Sequence, residues 1–255
     1  MPTQAGVMNQ AYWNGLAARF DSTVFDIAAN ETSGHLGEII EALGVKYQTA
    51  GDFGCGTGAT TALLSQHFDE VIAVDFADKL LSRARKRVPA KNVRFIKSDL
   101  CKKSQLFEVG ASFCFNALIH PASKKREQIA RSVFRNTETD GAAVFVVPSL
   151  ESYLRTCQAL IECRVEQGHK RNKAIRSIAK SADKEICSLV EGICNVGGAA
   201  TKHFMEDEIT QLLTGVGFEV TSVDRVEFPW SEELDDIPES LGEPYPWDWM
   251  VTAST

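Results

Sequence analysis

The sequence predicts an α/β fold, a mostly parallel sheet with helices packed on both faces. Three features of the 255-residue chain carry that prediction. Strand-length apolar runs alternate with helix-length segments through the middle of the chain. Two of those runs, Val71-Ile72-Ala73-Val74 and Ala143-Val144-Phe145-Val146-Val147, are apolar at every position, as strands covered on both faces are. The links between runs are short, which favours parallel neighbours joined through helices.

The elements follow in order. Residues 10–20 and 33–43 read as helices. In the second, Leu36, Ile39, Ile40 and Leu43 recur at helical spacing, Ser33 stands at the capping position and Gly44 is the expected stop. Strands are expected at 48–53, 71–75, 93–97, 112–118 and 142–147. Between them lie helices at 59–68, 79–87 and 123–136, and a short one at 103–107. After Pro148 the alternation breaks: 151–167 and 168–182 read as helices, and 185–201, with its glycines and short apolar pieces, as an extended pair. A helix at 206–214 and strands at 218–228 and 247–252 then resume the pattern. The expected organisation is 1–44 as N-terminal helices, 45–150 as the α/β core, 151–201 as a cap insertion and 202–255 as the rest of the core.

Composition narrows the function classes. Apolar residues make up 44% of the chain, enough for a packed core, and no apolar run approaches the ~20 residues of a membrane helix. The first ten residues have neither a basic nor an apolar signal region, so a cytoplasmic protein without a membrane partner is expected. A net charge of -7 argues against nucleic acid as a partner. Seven cysteines without a C-x-x-C pair, and five histidines without an H-x-x-x-H pair, point to free thiols and no metal site.

Functional residues concentrate at the C-terminal ends of the expected strands. Gly51-Asp52-Phe53-Gly54-Cys55-Gly56-Thr57-Gly58 follows the first strand and opens a helix. Glycines let such a turn approach a ligand closely, and the helix start offers free N–H groups. Gly54-x-Gly56-x-x-Ala59 also meets a relaxed dinucleotide fingerprint, but Asp52 stands where a dinucleotide strand carries an apolar residue. Its carboxylate suits a ligand with a positive amino group better than a pyrophosphate. The second strand ends in Asp75, placed to accept bonds from ribose hydroxyls, and the third ends in Asp99, placed for an exocyclic amino group.

Taken in order, Asp52 to Gly58, Asp75, Ser98-Asp99-Leu100 and Phe113 to Leu118 resemble the successive motifs of class I S-adenosylmethionine-dependent methyltransferases of the small-molecule type. The segment from Tyr12 to Asp21 resembles their N-terminal helix, and Lys202 through Val220 their closing helix and strand. The resemblance implies a Rossmann-like sheet of seven strands, mostly parallel with the last antiparallel, and a helical cap. It implies S-adenosyl-L-methionine as cofactor and S-adenosyl-L-homocysteine as product. Asp52 and the turn glycines Gly54, Gly56 and Gly58 would hold the methionine part, Asp75 the ribose and Phe76 the adenine face. Asp99 and Leu100 would lie at the adenine edge, Asn116 and Ala117 along the sulfonium, with Tyr12 and Trp13 closing over them.

Methyl transfer needs mainly alignment, with a base where the acceptor must lose a proton. His120, Tyr153 and His203 are the candidate catalytic residues. The acceptor is expected to be a small soluble molecule, since Asn116-Ala117-Leu118-Ile119 is unlike the motif used on adenine or amide nitrogens. Trp230, Glu232, Glu233, Asp235, Asp236, Glu239, Glu243, Tyr245 and Trp247, crowded before the last strand, suit a cationic amine. A homodimer is a compatible assembly. Two other classes fit the same residues: a sensor or assembly protein that binds the adenosyl ligands without turnover, and an NAD(P)-dependent oxidoreductase.

Overall fold

The computed structural model describes residues 8–22, 26–102, 107–234, 237–238 and 241–255. Its elements run α1 (Gln10–Leu16), α2 (Ile27–Asn30), α3 (His35–Lys46), β1 (Thr49–Phe53), α4 (Ala59–Leu64), β2 (Glu70–Asp75), α5 (Asp78–Arg87), β3 (Val93–Lys97) and β4 (Val109–Phe115). There follow α6 (Ser123–Asn136), β5 (Thr137–Pro148), α7 (Leu150–Glu166), α8 (Arg171–Glu185), β6 (Ile186–Ser188), β7 (Ile193–Val196) and β8 (Ala199–Lys202). The chain closes with α9 (Glu206–Val216), β9 (Glu219–Glu227) and β10 (Trp247–Ser254). Seven strands form one sheet in the order β3-β2-β1-β4-β5-β10-β9. Pairing is parallel from β3 through β5, and β10 runs antiparallel to both its neighbours. This is the sheet expected from the sequence.

The order places β1 and β4 side by side at the centre, where the crossovers change direction, so a crevice opens at their C-terminal ends. Two apolar layers fix the sheet. On one face Phe53, Val74, Phe145 and Val251 pack with Ile129, Val133, Ile209 and Leu213 of α6 and α9. On the other, Val71, Phe113, Val144 and Met250 pack with Leu36, Ile40 and Leu64 of α3 and α4. Helix α6 forms where its apolar spacing puts it, with Ile129, Ala130 and Val133 buried.

Several boundaries differ from the sequence expectation. Helix α3 runs through Gly44, because α3 lies hard against the turn after α4. A Cβ at Gly44 would sit 2.5 Å from the His67 carbonyl oxygen, so the glycine serves the contact and not a stop. Glu31 accepts from the first N–H groups of α3, at His35 and Leu36, in addition to Ser33. Strand β4 ends at Phe115, since Asn116 takes a left-handed backbone (φ 49°). Strand β5 begins at Thr137, where polar, exposed residues hid it. The expected short helix at 103–107 lies largely outside the described residues.

The 151–201 insertion contains α7, α8 and a three-stranded antiparallel sheet, β6-β7-β8, where a pair was expected. The chain leaves and re-enters the core at one point: Leu150 N donates to Phe204 O (2.9 Å) and Phe204 N to Pro148 O (2.7 Å). Lys202, 1% exposed, fastens the insertion to α9 by donating to Glu191 O (2.8 Å) and to Glu208 Oε2 (2.5 Å).

Candidate active site

The glycine turn between β1 and α4 is drawn over the end of β2. Gly54 N and Cys55 N both donate to Val74 O, at 2.8 and 3.0 Å. Gly54 (φ 85°) and Gly56 (φ 53°) adopt left-handed backbone that favours glycine. Each also faces a close neighbour: a Cβ on Gly54 would lie 2.6 Å from the Ala117 Cβ, and one on Gly56 2.9 Å from the Phe20 ring. The turn is therefore clamped between the residues after β4 and the N-terminal segment.

Asp75 closes β2 beside this turn. Its Oδ2 accepts from Gly56 N (3.1 Å) and its Oδ1 from Ala77 N (2.8 Å). Burial raises its carboxyl, and these backbone N–H groups pull against that rise. The N-terminal segment folds over the same corner. Gln10 Nε2 donates to Phe76 O (2.6 Å), and Lys79 N donates to Asn14 Oδ1 (2.9 Å). Asp21 accepts from Thr57 Oγ1 (2.6 Å), Arg83 Nη2 (2.9 Å) and Arg87 Nη1 (3.2 Å), joining that segment to the turn and to α5. Burial raises the Asp21 carboxyl and the Thr57 and arginine contacts outweigh it, leaving it lowered.

These elements enclose a cleft of about 730 Å³. Of the residues singled out from the sequence, Trp13, Gly54, Gly56, Asp75, Phe76, Asp99, Leu100, Asn116, Ala117 and His120 line it. They come from five separate segments that the sheet order brings together. His120 Nδ1 accepts from Ala122 N (3.0 Å), which leaves the proton of the neutral ring on Nε2. Burial lowers its pKa, followed by the charges of Lys125 and Arg126.

Five expected residues stand outside that lining. Tyr12 lies edge-on to Trp13 at 5.1 Å. Gly58 is at the start of α4, packed toward Ala84. Tyr153 in the cap and His203 just past it face one another, ring centroids 6.3 Å apart. The Tyr153 hydroxyl donates to Glu185 Oε2 (2.9 Å), and burial with that bond pushes its pKa up. His203 is pushed down to about 4 by burial. Neither is poised as a base at this cleft. Asp52 points under the helix instead of out of the strand: Thr61 Oγ1 donates to its Oδ2 at 2.5 Å. Phe20, Asp21 and Thr57 also line the cleft; they fall in segments the sequence marks, but their individual roles depend on how the N-terminal segment returns over the turn.

Asp52 is pushed up to about 7, first by burial and then by the Asp75 charge, against the Thr61 bond. A carboxyl raised on folding keeps its proton after the unfolded chain has lost it. Folding stability should therefore fall as pH rises from about 4 to about 7 and level off above, by up to about 4 kcal/mol. Asp52→Asn should remove that part of the slope. Urea unfolding of both proteins at acidic and alkaline pH measures it, and parallel slopes would refute the assignment.

Residues 51–141 match the family model of the methyltransferase domain. That match covers 91 of the 255 residues, from the glycine turn to the start of the apolar part of β5, and marks a methyltransferase domain in this part of the chain. Over 149 residues it is 27% identical to malonyl-[acyl-carrier protein] O-methyltransferase of Bacillus anthracis, covering 57% of this chain and 55% of the relative. The Coxiella burnetii enzyme of that description is 26% identical over 133 residues, covering 49% and 50%. The chain thus spans about half the length of the curated relatives it matches. Among solved structures, the DhpI–SAM–HEP complex superposes with a TM-score of 0.59 at 20% identity, covering 99% of this chain and all of that one. Magnesium protoporphyrin IX methyltransferase (ChlM) from Synechocystis PCC 6803, with bound SAH, gives 0.57 at 13% identity, covering 96% of each. At these identities the structural likeness establishes the fold.

The residues lining the cleft fit an adenosyl ligand. The turn offers backbone with no side chain in the way, and a carboxyl stands at the end of β2 and just past that of β3. Among the described residues no three His, Cys, Asp or Glu side chains converge on a metal-sized point, and no helix is long and apolar enough to cross a membrane.

Proposed function

We propose that this protein transfers a methyl group from S-adenosyl-L-methionine to a small amine. The observation that carries the cofactor is the convergence of the glycine turn, Asp75 and Asp99 on one cleft, at the ends of adjacent strands. In that reading Asp75 binds the ribose hydroxyls, Phe76 packs on adenine and Asp99 meets its amino edge. The bound cofactor supplies an activated methyl group on a sulfonium. The chain's part is to align the acceptor, exclude water and take up the proton that an amine must release.

Residues 1–44 close the cofactor side, 45–150 and 202–255 build the core, and the 151–201 cap shapes the acceptor side. The amine assignment is supported by the carboxylates gathered near the start of β10, where Asp248 and Glu233 lie within electrostatic reach of each other. Asp235, Asp236 and Glu239, which the sequence placed in the same link, lie outside the described residues. A second reading follows from the curated relatives, whose names give malonyl-[acyl-carrier protein] as the acceptor and oxygen as the methylated atom.

Calorimetric titration with S-adenosylmethionine, S-adenosylhomocysteine and NAD tests the cofactor. Micromolar binding of the two adenosyl ligands and none of NAD is expected. Failure of both adenosyl ligands would overturn the reading. Radiolabelled methyl transfer to an amine panel and to malonyl-[acyl-carrier protein] then separates the acceptors. Transfer to neither, with binding intact, would indicate a ligand sensor.

A further inference from the structure

Asn116, half-buried in the lining of the cleft, and the buried Asp248 behind it form a polar pair. Asn116 follows β4 directly, held by its N–H on Val146 O (2.8 Å). Its left-handed backbone is uncommon for a residue with a side chain and costs conformational energy, and such strain gathers at functional positions. What the conformation achieves is placement. The side chain lines the cleft and its amide donates toward the Asp248 carboxyl. Its Oδ1 is sealed from solvent yet has no hydrogen-bond partner among the described residues. A buried amide oxygen left unpaired is costly, and it lacks a donor.

Asp248 is the second residue of β10, opposite Pro148 of β5, and is 7% exposed. The charge that acts on it is another carboxylate, Glu233, and no cationic side chain among the described residues offsets the two. Burial comes first among the causes that push Asp248 up to about 7, then Glu233, while the Asn116 amide and the Ser149 backbone pull it back. Glu233 keeps a solvent-exposed face and is raised by burial, then by Glu185 and Glu232. Glu185 in turn holds the Tyr153 hydroxyl. Asp248, Glu233 and Glu185 of the cap are therefore each within electrostatic reach of the next.

Buried carboxylates normally come with a cation or a dense set of donors. Here the missing complement is a group with several N–H donors and a positive charge, small enough to sit between an amide oxygen and a carboxylate. We propose that Asn116 and Asp248 bind the amino group of the methyl acceptor, with Glu233 drawing the cation toward the pair. This rests on the methyltransferase reading, which supplies the reason for an acceptor in this cleft. It assigns to Asp248 a role in acceptor recognition, and to Asn116 that of orienting the amine toward the cofactor side of the cleft.

The test uses the whole protein saturated with S-adenosylhomocysteine, titrated by NMR with n-hexylamine and with the neutral n-hexanol. The wild type should bind the amine at least about tenfold more tightly than the alcohol. Asp248→Asn should bring the two probes to within about twofold of each other while S-adenosylhomocysteine still binds. Glu233→Gln, on the surface where folding is least disturbed, should lower the preference by about threefold. Equal binding of the two probes by the wild type, or a preference that survives both substitutions, would overturn the proposal. Loss of S-adenosylhomocysteine binding by the wild type would instead refute the cofactor reading, so the two failures are distinct.

Discussion

Asp75→Ala should weaken S-adenosylhomocysteine binding by at least about a hundredfold. A carboxylate that accepts from two ribose hydroxyls makes two charge-assisted bonds, each contributing about 1.5–3 kcal/mol. The same side chain also accepts from Gly56 N and Ala77 N, so its loss loosens the turn that forms the rest of the cradle. Both effects act in the same direction. Folding is expected to survive, because removing a carboxyl that is already raised by burial relieves a desolvation penalty. Asp75→Asn keeps one acceptor oxygen and should lose only about tenfold. Calorimetry on the three proteins, with thermal melts as the control for folding, measures this. An alanine variant within threefold of wild type would remove Asp75 from the cofactor site.

The largest stability effect is expected at Phe113. It sits in the middle of β4, fully buried, and meets Phe68 and Phe115 edge-on at 5.7 and 6.0 Å. Its strand is bonded to β1 on one side and β5 on the other. Neither neighbour can close on a void without breaking pairs. Phe113→Ala should therefore cost about 3–5 kcal/mol, a large share of a stability that is about 5–15 kcal/mol in most proteins. The melting temperature should fall by roughly 10 °C. Phe113→Leu, which keeps most of the volume, should cost less than about 1.5 kcal/mol. A melting temperature unchanged in Phe113→Ala would mean that the two aromatic contacts do not hold this layer.

Much of the fold was legible because it rests on local pattern. Continuous apolar runs marked β2 and the heart of β5, and a single amphipathic face marked α6 from Ser123 to Asn136. Elements went unread where pattern and structure part company. The polar start of β5 touches β4 only at Thr137 before the register shifts to Ala142, and a short strand after the Gly197-Gly198 turn carries too few residues to show a period. The site follows the same division. Carboxylates at or just past a strand end, such as Asp75 and Asp99, could be located by counting, because the sheet delivers strand ends to one edge. Asp52 could not. One residue before the end of β1, its side chain shares a face with Ala50 and turns toward Thr61 in α4. Asp248 carries no signal of its own within an acidic, aromatic link. It acquires a place only when β10 aligns Asp248 with Pro148, three strands' width from where the glycine turn begins.

The position of β10 also bears on how the molecule is made. This strand, last in chain order among the seven, lies inside the sheet, with β5 on one side and β9 on the other. Until it is in place, β5 presents an open edge and β9 has no partner in the sheet. Two unpaired strands with apolar faces are an invitation to pair with another chain. During synthesis the earlier strands can assemble as they emerge, but their shared edge waits for β10, whose pairing with β5 spans roughly a hundred residues of intervening chain. The vulnerable interval in this protein's life is therefore the time between the completion of β5 and the arrival of β10, and the long cap insertion lengthens it.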